Sequence, residues 1–308
     1  MERSDAARVQ APDLDAKRPA GLAALGRSLL RGLRVLLLAV SFAVFYPIGA
    51  FFSWIACSIL RAARVDPVRR RQLCQTIVQG GFRTLHWWLS ATRLFRMEYV
   101  GPPLPDGACV LIANHPTFLD VTAIIARHDN VCCLVKRSLM DGFWFGPLLR
   151  DAGYISSSGG GGFSQLSMLR EAGRRLRDGQ RVLIFPEGTR SPETGLGAFQ
   201  RGAFWLTDQA DVPLVPLVLR CRPRALGRGT PFVTHPLRCP VLTVETGPTW
   251  VPDIHGPGLR VEVEHWYQRK LTDDTVVADH GRRSSQARNQ SPHHRVTHVG
   301  GRSSERHR

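Results

Sequence analysis

The chain has 308 residues, of which 43% are hydrophobic and 21% are charged. These proportions are those of ordinary globular proteins, so they exclude a wholly disordered chain and a fibrous repeat. The 41 basic and 25 acidic residues give a formal net charge of +16. Such an excess favours a polyanionic partner, namely nucleic acid, an anionic membrane surface or an acidic carrier protein, and charge alone does not choose among them.

The first 60 residues contain the strongest hydrophobic signal. Residues 1–20 are polar and mixed in charge, which predicts a flexible leader. The run from Val35 to Leu60 then holds 26 consecutive residues without a charge, more than the ~20 needed to cross a bilayer core. Because the run lacks the cleavage site of a secretory signal peptide, it predicts a segment retained in a membrane. The alternative is a buried core helix.

The sequence leaves the form of this membrane segment open. Five basic residues stand on each side of the run, so the positive-inside rule is balanced. Pro47 lies at its middle and removes a helical hydrogen bond. A re-entrant helical hairpin with both ends cytoplasmic accounts for the balanced charge and for the proline, whereas one tilted spanning helix accounts only for the length. We therefore predict the hairpin.

Residues 61–96 predict a basic helix at the membrane interface. Eight arginines face a single acid, Asp66, in this segment. Apolar residues recur there at helix-like spacing, and they are Leu73, Ile77, Phe82, Leu85, Trp88 and Leu89. A solvated helix packed on its own domain is the alternative. Residues 21–96 are thus assigned to membrane-anchoring and interfacial helices.

The chain from residue 97 to residue 270 predicts an α/β domain, with a mixed sheet flanked by helices. Short β-branched runs alternate here with helical stretches. The predicted strands are residues 109–113, 131–135, 154–156, 182–185 and 212–219, and residues 163–177 form an amphipathic helix. The Ser/Gly run 156–162 predicts a loop. Residues 271–308 predict a disordered basic tail, because large apolar residues are almost absent from residue 280 onward.

The seven cysteines predict a reducing compartment and no structural zinc. No C-x-x-C pair occurs, and no histidine stands at zinc-finger spacing from them. Several lie in apolar runs such as residues 131–135, where a thiol usually acts as a small buried hydrophobe. The domain is therefore expected to face the cytoplasm.

The first chemical motif is Asn114–Asp120, with the sequence NHPTFLD. It follows the strand ending at Ala113, so His115 stands where open α/β sheets keep their reactive groups. Pro116 fits the first position of a helix, which would place Asp120 in the following turn. Its carboxylate can then fix the tautomer of His115 and stabilise the imidazolium, as an acid/base dyad requires. The alternative is a helix start with a dipole-favoured carboxylate.

The second motif is Phe185–Ser191, with the sequence FPEGTRS. It also follows a predicted strand, and its Gly, Thr, Arg and Ser offer backbone and side-chain donors suited to a phosphate group. A surface turn would need only the proline and the glycine. This motif alone does not distinguish the two interpretations.

Together, strand–NHxxxxD and strand–FPEGTRS about 70 residues apart resemble the glycerolipid acyltransferase family, typified by lysophosphatidate acyltransferase. The resemblance covers residues 95–250 and includes the runs Phe199–Ala203 and Val212–Pro216. It implies that His115 deprotonates the acceptor hydroxyl, which attacks an acyl thioester, and that Asp120 orients His115. It also implies a group of acceptor- or phosphate-binding residues, namely Lys136, Glu187, Gly188, Thr189, Arg190 and Arg201.

The resemblance implies a membrane-bound O-acyltransferase at the cytoplasmic face of a bacterial inner membrane. The expected donor is acyl-CoA or acyl carrier protein, and the expected acceptor is lysophosphatidate or a similar lysophospholipid. No metal or bound cofactor and no nucleic-acid partner are expected, whereas membrane lipids are.

One departure from the family pattern leaves the acceptor open. Family members commonly place an arginine after a G-x-I-F-I-x run, whereas residues 153–158 lead here into Gly159. The sequence also resembles the acyltransferases encoded beside polyene lipid synthases in bacteria, which lack that arginine too. A non-phosphatidate acceptor such as a lyso-ornithine lipid is therefore an alternative. A non-catalytic basic membrane tether is another, although it leaves both motifs unexplained.

Overall fold

The computed structural model describes residues 20–157, 162–193, 195–230, 232–252 and 258–272. The leader predicted over residues 1–20 lies outside these ranges except for Ala20, and the predicted tail lies outside them from residue 273. Of the predicted Ser/Gly loop, residues 158–161 lie outside them, while its first two residues belong to a strand. The predicted domain boundaries at residues 97 and 270 remain predictions.

The helices are α1 (Ala20–Ala62), α2 (Pro67–Ala91), α3 (Asp120–Arg127), α4 (Arg137–Met140), α5 (Gly146–Asp151), α6 (Gly162–Arg177) and α7 (Gly202–Ala210). Residues 259–272 are also helical. The strands are β1 (Arg96–Val100), β2 (Val110–Ala113), β3 (Val131–Lys136), β4 (Ile155–Ser157), β5 (Arg181–Ile184), β6 (Leu214–Arg222) and β7 (Val241–Thr246). A short 3-10 turn covers Phe232–Thr234.

The seven strands form one sheet in the order β1-β7-β6-β2-β5-β3-β4. Every pairing is parallel except β6 with β7, so the prediction of a mixed sheet flanked by helices is confirmed. The five predicted strands are present with small shifts at their ends. Strands β1 and β7 were not predicted, and the edge strand β1 is short and begins with an arginine, which gives a weak strand signal.

Residues Ala20–Ala62 form one continuous helix, so the prediction of a hairpin is wrong. Pro47 lies inside the helix and costs about 3 kcal/mol there. A chain reversal in the same apolar run would instead leave several backbone groups unpaired in lipid, each at a cost of several kcal/mol. The helix is long and apolar enough to cross a membrane by length and composition.

Only one stripe of α1 is buried in the domain. Its buried residues are Leu38, Ser41, Ala50, Ser53 and Cys57. The other sides expose large apolar residues, which include Leu29, Leu33, Leu36, Val40, Val44, Ile48, Phe51, Phe52 and Ile59. The buried stripe shows that α1 packs along the domain over its second half.

The basic helix α2 begins at a capped end and packs on the sheet domain. Asp66 caps it, because its carboxylate accepts from the amides of Val68 and Arg69 at 3.0 and 3.2 Å. Its buried residues are Cys74, Gln75, Val78, Leu85, His86 and Leu89. Trp88 Nε1 donates to Ser41 Oγ at 2.8 Å, which joins α2 to α1. The inner face of α2 therefore matches the alternative interpretation, a helix packed on its own domain.

Candidate active site

The site begins at the carboxyl end of β2, a strand buried on both faces at the middle of the sheet. Asn114 follows the strand and is itself buried. Its Nδ2 donates to the carbonyl of Leu219 at 2.9 Å, and its Oδ1 accepts from the amide of Leu219 at 2.7 Å. This pair of hydrogen bonds fixes the end of β2 to the neighbouring strand β6. The backbone that leads into His115 is therefore held in place.

His115 and Asp120 are in direct contact. Nδ1 of His115 lies 2.7 Å from Oδ2 of Asp120, and the Asp120 side chain is fully buried while His115 keeps 19% of its side chain exposed. Thr117 donates its amide to Oδ2 at 2.8 Å and its hydroxyl to Oδ1. Burial raises the pKa of the Asp120 carboxyl, whereas the hydrogen bonds from His115 and Thr117 lower it.

Helix α3 begins at Asp120 and not at Pro116, so the prediction that Pro116 occupies the first helical position is wrong. The amide of Thr117 donates to the side chain of Asp120 instead of entering a helical pattern. Residues 116–119 therefore form a turn that closes on the carboxylate. This turn brings the carboxylate back to the histidine, as the motif spacing predicted.

The ring of His115 is held on a second side by Phe185, the first residue of the FPEGTRS motif. The two ring centroids are 4.3 Å apart with an interplanar angle of 27°. Because Nδ1 faces Asp120, the second nitrogen, Nε2, is the one that can take a proton from a substrate. The sequence alone assigned no role to Phe185, although its place in the motif could have indicated a functional contact.

Glu187 lies inside the loop after β5 and organises it. Its Oε1 accepts from the hydroxyl of Ser191 at 2.5 Å and from the amide of His115 at 3.3 Å, and its Oε2 accepts from the amide of Gly197 at 2.7 Å. The residue is buried. A carboxylate whose two oxygens are engaged in this way, and which repels anions, is poorly suited to bind phosphate. Its contacts support a positioning role instead of the predicted contact with the acceptor.

The other predicted binding residues stand at the same edge of the sheet. Gly188 has a φ of +66°, a left-handed conformation that favours glycine, and donates its amide to the Phe185 carbonyl at 3.0 Å. Thr189 and Arg190 follow it on the surface. Arg201 is exposed at the N-cap of α7 and follows Gln200, whose amide donates to the Pro186 carbonyl at 2.7 Å.

Lys136 is more distant from the dyad in the sheet. It is exposed at the carboxyl end of β3, and β5 lies between β3 and β2. The carboxyl ends of parallel strands share one edge, so Lys136 and the loop after β5 face the same side as His115. The roles of these binding residues remain predictions.

The fold and the paired motifs resemble those of the glycerolipid acyltransferases. Residues 96–220 match the family model described as acyltransferase. The chain is 34% identical over 119 residues to human 1-acyl-sn-glycerol-3-phosphate acyltransferase beta, covering 36% of this chain and 40% of that protein. It is 28% identical over 159 residues to the Pseudomonas aeruginosa 1-acyl-sn-glycerol-3-phosphate acyltransferase, covering 50% of this chain and 60% of that one.

A solved structure supports the fold. The 1-acyl-sn-glycerophosphate acyltransferase PlsC from Thermotoga maritima superposes with a TM-score of 0.58 at 19% identity, covering 81% of this chain and 96% of that one. The chain spans 34% to 40% of the length of the plant and human relatives it matches. These findings confirm the resemblance of residues 96–220 to the acyltransferase family.

Proposed function

We propose that this protein transfers a fatty acyl group from acyl-CoA or acyl carrier protein to the free hydroxyl of 1-acyl-glycerol-3-phosphate. The observation that carries the proposal is the 2.7 Å contact between His115 Nδ1 and Asp120 Oδ2 at the carboxyl end of the central strand. The matched relatives are named 1-acyl-sn-glycerol-3-phosphate acyltransferases, which supports this acceptor.

The dyad supplies the proton transfer that the reaction needs. Asp120 accepts from Nδ1 of His115 and thereby leaves Nε2 as the base. Nε2 takes the proton of the acceptor hydroxyl as its oxygen attacks the thioester carbonyl. The carbon–oxygen bond forms, the carbon–sulfur bond breaks, and the proton passes from Nε2 to the departing thiolate. Asp120 stabilises the imidazolium during the transfer.

The phosphate of the acceptor is assigned to the basic residues at the edge of the sheet. Arg190 lies three residues after the buried Glu187, in the loop beside β2, and its planar guanidinium can bind phosphate through two hydrogen bonds. Arg201 and Lys136 add positive charge at the same edge. The amides of the loop around Gly188 offer further donors.

The exposed apolar sides of α1 support attachment to a membrane. The domain is proposed to lie on the cytoplasmic face. Phe118 stands between the two members of the dyad and contacts Phe42 of α1, with ring centroids 6.1 Å apart. Phe42 also contacts Phe232 at 6.1 Å. A lipid acceptor in the membrane that surrounds α1 thus lies close to the catalytic turn.

A purified-membrane assay tests the proposal. Membranes containing the wild-type protein or the His115→Ala variant are supplied with lysophosphatidate, lysophosphatidylglycerol or lyso-ornithine lipid, each with acyl-CoA and with acyl carrier protein as donor. We expect His115-dependent acylation of lysophosphatidate. His115-dependent acylation of lyso-ornithine lipid alone would assign the alternative acceptor, and no transfer with any pair would favour the membrane tether.

A further inference from the structure

Three helices bring together two thiols and a carboxylate that take no part in the catalytic dyad. Cys57 lies near the end of α1, Cys74 lies in α2, and Asp151 is the last residue of α5. The two sulfur atoms are 4.0 Å apart, although 17 positions separate the cysteines in the chain. One ligand atom from each of the three residues lies within 4.8 Å of the other two. This group is called the helix-junction cluster below.

The helix-junction cluster is enclosed. Cys57 and Cys74 are buried, and the side chain of Asp151 is 8% exposed. Oδ2 of Asp151 has no hydrogen-bond partner, although the guanidinium of Arg61 lies 3.0 Å away. The ion pair with Arg61 leaves Oδ2 without a hydrogen bond of good geometry, so this oxygen keeps a lone pair that a bound metal ion can share.

The spacing of the sulfur atoms matches that of metal ligands. Two thiolates on a tetrahedral zinc ion, each at about 2.3 Å, lie roughly 3.8 Å from each other. The observed 4.0 Å needs little adjustment. A disulfide would need the sulfur atoms to approach to about 2.0 Å. The arrangement is thus closer to a metal site than to a disulfide.

The charges also balance. Without a metal, the helix-junction cluster contains two neutral thiols, one carboxylate and the guanidinium groups of Arg61 and Arg70, which lie 3.0 and 3.6 Å from the carboxylate oxygens. Binding of Zn²⁺ releases both thiol protons to solvent, so the metal adds two positive charges and the thiolates add two negative ones. The net charge stays the same, and the arginines remain to stabilise the anionic ligands.

We propose that Cys57, Cys74 and Asp151 form a zinc site that fastens the end of α1 to α2 and α5. Zn²⁺ suits two thiolates and one carboxylate, and water completes the fourth position. The site joins the apolar helix to the domain that holds the dyad. It does not depend on the proposed reaction.

The test uses the full-length protein in detergent, purified without a polyhistidine tag. Metal analysis is expected to find about one zinc per chain. Replacement of zinc by Co²⁺ is expected to give a thiolate-to-cobalt charge-transfer band. The five histidines of residues 280–308 can bind cobalt but cannot produce this band. Cys74→Ser should abolish the band, Asp151→Asn should weaken zinc affinity by at least about tenfold, and the control Cys221→Ser should change neither.

A measurement on the unmutated protein covers the case in which a cysteine variant fails to fold. Mass spectrometry after alkylation in mild denaturant, which lets the buried thiols react, measures each cysteine separately. Zinc is expected to slow the alkylation of Cys57 and Cys74, and a chelator is expected to restore it. A wild-type protein without the charge-transfer band, equal alkylation with and without zinc, or a Cys57–Cys74 disulfide in protein isolated without reductant would overturn the proposal.

Discussion

Ser191 and His115 are joined by two hydrogen bonds between loops that are far apart in the sequence. The amide of Ser191 donates to the carbonyl of His115 at 2.9 Å, and the amide of His115 donates to the hydroxyl of Ser191 at 2.9 Å. Glu187 accepts from both the hydroxyl of Ser191 and the amide of His115. The position of His115, the proposed catalytic base, is therefore set by the second motif as well as by the first.

Ser191→Ala is expected to lower kcat about tenfold or more, with a small change in KM for the acceptor. The variant leaves the part-buried His115 amide with only its long contact to Glu187, at a cost of about 1 to 3 kcal/mol in the alignment of the base. Steady-state kinetics measure this effect. The control is Ser90→Ala, which changes an exposed hydroxyl on α2. A normal kcat in Ser191→Ala would contradict the positioning role.

His115→Ala is expected to abolish acyl transfer, and Asp120→Asn is expected to lower it by a factor on the order of a thousand. The asparagine loses the charge that stabilises the imidazolium, and it offers one acceptor oxygen where the carboxylate offers two. Activity is measured in membranes that contain equal amounts of each protein. Both variants should remain in the membrane fraction, and activity near wild type in His115→Ala would disprove the base assignment.

Arg190→Met is expected to weaken the use of lysophosphatidate by about 1.5 to 3 kcal/mol, or about 10- to 150-fold in kcat/KM, with little effect on the apparent affinity for the donor. Arg190→Lys should restore only part of the lost kcat/KM, because an ammonium group cannot bind phosphate through a planar pair of hydrogen bonds. The control is Arg269→Met, an exposed arginine on the last described helix. Equal kinetics of wild type and Arg190→Met would remove Arg190 from the acceptor site.

Attachment to the membrane is expected to survive washing with about 1 M salt and with alkaline carbonate, because salt screens only the contribution of the arginines. Aspartate at three exposed apolar positions of α1, namely Leu29, Leu33 and Leu36, should release the protein. The double variant Arg64→Gln and Arg69→Gln, which removes only charge, should stay attached. Release of the wild-type protein by salt alone would show an electrostatic attachment.

The buried histidine His86 predicts a loss of stability in mild acid. Burial lowers its pKa to about 4, against about 6.5 in an unfolded chain. Its Nε2 bonds to Thr122 Oγ1 at 2.9 Å, while Nδ1 is buried without a hydrogen-bond partner, so protonation would bury an unpaired charge. The unfolded chain binds the proton more tightly, and stability therefore falls as pH falls from 6.5 toward 4. The loss is roughly 2 kcal/mol at about pH 5.

Thermal unfolding of the purified protein at neutral and mildly acidic pH measures this loss. His86→Gln, which keeps a donor for Thr122, should reduce the drop in midpoint between the two conditions. The control is His265→Gln, at an exposed position. An equal fall in the unfolding midpoint of His86→Gln would show that acid destabilisation arises elsewhere, for example at the half-buried His128 or the buried His235, whose pKa values are also lowered to about 4 by burial.

Several features were predictable because they depend on neighbours in the sequence. The residues of β2 form an uninterrupted apolar run, as a strand buried on both faces requires, and the strand was predicted within one residue. Five positions separate His115 from Asp120, and a single turn of that length brings the carboxylate to the ring. The order of strands and helices after residue 97 indicated the fold class for the same reason.

The sequence by itself determined the five strands β2 to β6, the apolar run of α1 and the pairing of His115 with Asp120, since local spacing and periodicity decide these features. Only the tertiary structure decided that α1 continues through Pro47, that Glu187 points inward to Ser191 and His115, and that Cys57 meets Cys74. Each of these outcomes depends on the side chains of a segment that is distant in the sequence and packs against the residue in the fold. Packing of α1 on the domain helps to offset the cost of the proline, and the burial of Glu187 is set by loop residues that arrive from other strands.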